Sequence, residues 1–64
     1  MSEYNIPHGA ILEDSDVAEH YITRQDRPNE LGEVSCYYFA EFGMLREVEV
    51  DAFVLVTMKR VGQV

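Results

Sequence analysis

The sequence predicts an α+β fold in a single domain: one short helix packed on a small antiparallel sheet built around a β-hairpin of residues 34–42 and 45–60. Three observations carry this. The stretch "EDSDVAEHYITRQ" opens with helix-capping residues and continues with apolar residues at helical spacing. The stretches "VSCYYFAEF" and "LREVEVDAF" are dense in strand formers and meet at Gly43. In the second of them, Glu47, Glu49 and Asp51 occupy every second position.

Residues 1–14 read as an amino-terminal arm, broken by Pro7 and Gly9, whose Tyr4, Ile6, Ile11 and Leu12, or else a second copy of the protein, would cover one side of the apolar stretch beyond Asp51 or pair with its edge. Residues 15–26 read as the helix. Asp16 is its N-cap and Glu19 follows three positions later, so that each side chain satisfies an orphan backbone donor. Val17, Ala18, Tyr21, Ile22 and Gln25 then form a stripe, and the acids Glu13, Asp14, Asp16 and Glu19 gather at the end where the helix dipole favours them. The alternative is a short strand over "HYIT", which is rich in strand formers. "DRPNELG" reads as a turn around Pro28.

Residues 33–61 read as the hairpin with a long second strand. Glycine at position 43, followed by Met44, suits a two-residue type II′ turn. That turn implies a register in which Phe42 faces Leu45, Glu41 faces Arg46, Ala40 faces Glu47, Phe39 faces Val48, Tyr38 faces Glu49, Tyr37 faces Val50 and Cys36 faces Asp51. Tyr37, Phe39, Val48 and Val50 then share the core face, with Glu41 and Arg46 as an ion pair at its end. Cys36, Tyr38 and Ala40 lie beside the three carboxylates on the other face, which must meet water or a cation, because unpartnered buried carboxylates cost several kcal/mol each. Beyond Asp51, "AFVLVTMKRV" is apolar on both sides and reads as the continuation of one bent strand from about residue 45 to 60. A helix from Asp51 to Gly62 is opposed by the β-branched Val54, Val56, Thr57 and Val61.

A chain of 64 residues holds one small core and gains from association. Cys36 is its only cysteine, so no internal disulfide forms, and a lone thiol suits a reducing compartment. The start lacks the basic and apolar regions of a secretory signal, and no run approaches a membrane span, so a soluble, cytoplasmic protein is expected, in the cell or in an infected host.

The net charge of −7 is uneven: residues 1–23 carry −5, and only residues 52–64, with Lys59 and Arg60, are positive. Such a field repels nucleic acid and anionic membrane and draws a basic protein surface, so direct nucleic-acid or membrane binding is not expected. His8, His20 and Cys36 lack the close pairs of a zinc site, and "EDSDVAEH" lacks the glycine and ligand spacing of a calcium loop. No cofactor is expected. Cys36 beside Asp51 is a poor nucleophile, and exposed carboxylates on one strand have no pocket to separate their acidities, so catalysis is not expected either.

What remains is binding. Glu47, Glu49 and Asp51 lie about 6.6 Å apart along one strand face, twice the rise per residue and close to the spacing of nucleic-acid phosphates. Tyr38 would add an aromatic anchor, and Glu13, Asp14, Asp16 and Glu19 a second acidic group. The expectation is a small acidic protein-binding module. It would inhibit a host protein by occupying a basic, nucleic-acid-binding surface as a mimic, a character of composition shared with viral and mobile-element inhibitors such as anti-CRISPR proteins. The alternative is an antitoxin-like or regulatory accessory subunit that forms a homodimer or adds a strand to a partner's sheet.

Overall fold

The computed structural model describes residues 4–39 and 43–64. It contains β1 (Ala10–Asp14), β2 (Glu19–Thr23), β3 (Glu33–Phe39), β4 (Leu45–Asp51), a one-turn helix α1 (Ala52–Val56) and β5 (Lys59–Gln63). The strands form one antiparallel sheet in the order β4-β3-β2-β1-β5. The first four follow one another as a meander. α1 then carries the chain from the β4 edge to the far side, where β5 pairs with β1. Among the described residues the architecture is α+β in the coarse sense, mostly sheet with one short helix, and no helix there is long and apolar enough to cross a membrane.

One face of the sheet is the core. Leu12, Tyr21, Tyr38 and Arg46 follow one another across four strands, and Thr23, Cys36 and Val48 form the next row, with Val34 opposite Val50 beyond. Ala10, Leu12, Val34, Cys36, Ala52 and Leu55 are buried together, with Tyr4, Ile6, Tyr21, Val48, Val50 and Met58 packed against them. The arm packs on this face through Tyr4 and Ile6, rather than on a strand continuing beyond Asp51. Thr23 pins it, its hydroxyl donating to the Pro7 carbonyl (2.8 Å) and accepting from the Ala10 N–H (3.1 Å).

The expected helix over 15–26 is absent. Residues 15–18 form the reversal between β1 and β2, and Glu19–Thr23 is a strand in the middle of the sheet. The capping chemistry is present but serves a turn: Asp14 Oδ1 accepts from the Asp16 N–H (3.0 Å), and the Ala18 N–H donates to the Asp14 carbonyl (2.7 Å). Ala18 takes a left-handed φ of 60°, incompatible with a helix through it. A stripe of five positions is too short to hold a helix by itself, whereas β2 gains ladders on both sides. The arm likewise ends earlier than expected, since Ala10–Asp14 is β1, between β2 and β5.

The long bent strand from 45 to 60 is also corrected. Asp51 caps α1, its Oδ1 accepting from the Phe53 N–H (2.8 Å), and Thr57 closes it by donating its hydroxyl to the Val54 carbonyl (2.7 Å). Packing outweighs the β-branched propensity, since Ala52 and Leu55 are buried in the core. The turn before β3 helps to place this helix. The Leu31 and Glu33 N–H groups both donate to Asn29 Oδ1 (2.9 Å), and the Gly32 carbonyl accepts from the Ala52 N–H (2.9 Å). Asn29→Ala is expected to lower stability by about 1 kcal/mol. Asn29→Asp should retain most of it, as a lower urea midpoint for the first variant alone would show.

Candidate functional site

β4 is an edge strand whose alternation is intact. Val48 and Val50 are half-buried toward the core, and Glu47, Glu49 and Asp51 are exposed on the opposite, outer face. The partner residues differ from the expected register. Tyr37 faces Glu47, Ser35 faces Glu49, Glu33 faces Asp51, Cys36 faces Val48, Tyr38 faces Arg46 and Phe39 faces Leu45. Five residues separate Phe39 from Leu45, so the reversal is not a two-residue turn at Gly43 and Met44, although Gly43 does take a positive φ of 74°. The placements expected for Ala40, Glu41 and Phe42, including the Glu41–Arg46 pair, lie outside the described residues.

The offset from the expected pairing is three residues, an odd number, so β3 shows β4 its other face. The physical gain is plain: Val34 meets Val50 and Cys36 meets Val48 inside, where the expected register left Cys36 beside Asp51. Tyr38 therefore leaves the acidic face. Its ring lies 5.2 Å from that of Tyr21, and its hydroxyl donates to Glu19 Oε2 (2.5 Å). Tyr37 takes its place beside the carboxylates.

The three carboxylates are not equivalent. Arg24 Nη1 lies 3.0 Å from Glu47 Oε1 and also donates to Ser35 Oγ (3.0 Å), with the guanidinium 4.8 Å from the centre of the Tyr37 ring. An exposed pair of this kind is worth at most about 1 kcal/mol, and it leaves the Glu47 carboxylate largely in solvent. Asp51 has one oxygen committed to the α1 cap. Glu49 makes no hydrogen bond or ion pair among the described residues, and faces water. Sequence reasoning missed Arg24, whose contact with Glu47 depends on how three strands line up; the outer-face row Ile22, Tyr37 and Glu47 would have located it once the register was known.

The second acidic group gathers at the β1–β2 reversal but not on one face. Glu13 pairs with His20 across the ladder (3.8 Å between Oε2 and Nε2), Asp14 binds its own turn, Asp16 is exposed, and Glu19 accepts from Tyr38. Asp14, Ser15 and Asp16 line a shallow hollow of about 380 Å³ with Val54, Thr57 and Met58. This group does not join the β4 row: β2 and β3 lie between β4 and the β1 residues Glu13 and Asp14, about 14 Å by strand spacing alone, and Glu19 on β2 points to the inner face, away from the row.

Cys36 is buried, and burial first, with Glu49 second, pushes its thiol from an ordinary value near 9 up to about 11. Its sulfur points back at the Val34 carbonyl (3.6 Å). Among the described residues, no group of three or more His, Cys, Asp or Glu side chains is placed to hold a metal ion. No family model, curated protein or solved structure matches the chain.

Proposed function

We propose that this chain is a small acidic protein-binding module that engages a basic surface of another protein, and that it inhibits that protein by competing with nucleic acid for the surface. The observation that supports this reading is the outward row Glu47, Glu49 and Asp51 on an edge strand, in a chain of net charge −7. The row is rigidly held, because Val48 and Val50 anchor the strand between the charges and Asp51 is tied to α1. Preorganised charge of this kind favours fast, salt-sensitive association with a cationic patch. Tyr37 supplies the aromatic contact, with Arg24 stacked on it as a local counter-charge.

The test is affinity capture from host lysate followed by release with nucleic acid. The triple variant Glu47→Gln, Glu49→Gln, Asp51→Asn should fold normally, since asparagine also caps helices. It should lose at least about tenfold in capture, together with the salt dependence of binding. Undiminished, salt-insensitive capture by that variant would contradict the reading.

A second reading, an accessory subunit that pairs with itself or with a partner, is favoured by one specific observation. α1 leaves Phe53 75% exposed, with Val54 and Val56 also at the surface. A charge at Val56 separates this reading from the first, by lowering the mass in light scattering if the helix face is an interface. A charge at the buried Leu55 would instead unfold the chain.

A further inference from the structure

The two edges of the sheet are built differently. β5 carries the devices that keep an edge from pairing: its register against β1 shifts between Ile11 and Leu12, leaving Val61 as an extra residue, and Lys59, Arg60 and Gly62 make up most of the rest. β4 has neither the bulge nor the lysine and glycine; its charges are Arg46 and the three acids, which repel a like-charged strand rather than every strand. It is seven residues long, pairs regularly with β3 throughout, and contains no proline or glycine. Among the described residues no strand pairs with its outer side. Such an edge offers alternating backbone donors and acceptors to any extended chain.

Charge decides which chain fits. A second copy of β4 laid antiparallel on the first and centred on Val48 would set Glu47 against Glu49, and like charges directly opposite are destabilising. An extended segment with lysine or arginine at every second position would place those cations beside Glu47, Glu49 and Asp51. The residues between them would extend the half-buried row of Val48 and Val50, and must be apolar. A one-residue slip would turn the cations toward the valines and the exposed Arg46 of the inner face, so the phase is selected as well.

We propose that the β4 edge docks an extended basic segment of a partner protein, in which Lys or Arg alternates with apolar residues, as a sixth strand of the sheet. This rests on the acidic-module reading and adds the mode of binding, by strand addition.

The probe is a capped heptapeptide of lysine alternating with valine, read by fluorescence anisotropy and by amide shifts and hydrogen exchange of the whole chain. Three comparison peptides accompany it: one of the same composition with lysines and valines in separate blocks, and two with the backbone N-methylated at either the lysines or the valines. Backbone donors alternate sides along a strand, so only one methylated version blocks the side that meets β4. The expected result is at least tenfold weaker binding for the block peptide and for one methylated version only. Shift changes and new exchange protection should centre on Leu45–Asp51. Equal, salt-sensitive binding of all four peptides, or shifts centred on Asp14–Glu19, would overturn strand addition while leaving the acidic surface standing. Binding of none at low salt would overturn both.

Discussion

Leu55→Ala is expected to lower the melting temperature by at least about 10 °C. Leu55 is fully buried, and with Ala52 it is the only part of α1 that is buried in the core. Truncation of a buried leucine costs about 2–5 kcal/mol, and a domain of this size rarely has more than about 3–5 kcal/mol to lose. The damage also spreads, because α1 turns the chain from β4 toward the far edge, where β5 pairs with β1. Phe53→Ala, two residues away on the opposite side of α1 and 75% exposed, should cost less than about 0.5 kcal/mol. Thermal melts followed by circular dichroism compare the two, and a Leu55→Ala melt within a few degrees of the wild type would contradict the packing described.

The second large effect is alkaline lability. Cys36 is raised from about 9 to about 11 in the folded chain, and Tyr4 from 10 to about 12, in both cases first by burial. A raised pKa means that the folded state holds its proton to higher pH than the unfolded state does. Below pH 9 both states are protonated and the stability is fully present. As pH rises from about 9 through 11 the unfolded thiol ionises first and stability is lost, by about 2–3 kcal/mol for Cys36 alone. The tyrosine adds its own loss from pH 10 upward. Urea midpoints at pH 7, 9 and 10.5 should therefore fall steeply across the last interval. Cys36→Ala, less stable at pH 7 for its cavity, should show a shallower fall. Equal slopes for the two proteins would exclude the buried thiol as the cause. The same burial makes Cys36 slow toward thiol reagents at pH 8 until the chain opens.

The parts of the fold that were legible in the sequence are those written in short range. The outward alternation of Glu47, Glu49 and Asp51 with the inward Val48 and Val50 is a property of one strand, and it survives a change of partner. Tyr4 and Ile6 of the arm are apolar and pack on the core, but what they cover, and whether a second copy would cover it instead, was not legible. The rest depended on long-range pairing. Asp14 and Asp16 form a cap-like bond whether the chain coils or reverses, so the local chemistry could not distinguish a helix over 15–26 from a turn between two strands. β2 is a strand because β1 and β3 flank it. The β3–β4 register answers to Val34 with Val50, Cys36 with Val48 and Arg24 with Glu47, contacts that a glycine at position 43 does not encode. That error moved one site residue to the wrong face: Tyr38 belongs with Tyr21 and Glu19 on the inner side, and Tyr37 belongs with the acids.

The binding account depends on the carboxylate row standing outward on an open edge, opposite Tyr37, Ser35 and Glu33. A cross-strand NOE map of the isotopically labelled chain tests this most directly. The account predicts contacts between Cys36 and Val48 and between Val34 and Val50, the Arg24 side chain against the Tyr37 ring, and fast exchange of the outward-facing β4 amides. Contacts between Cys36 and Asp51, or between Tyr38 and Glu49, would contradict it.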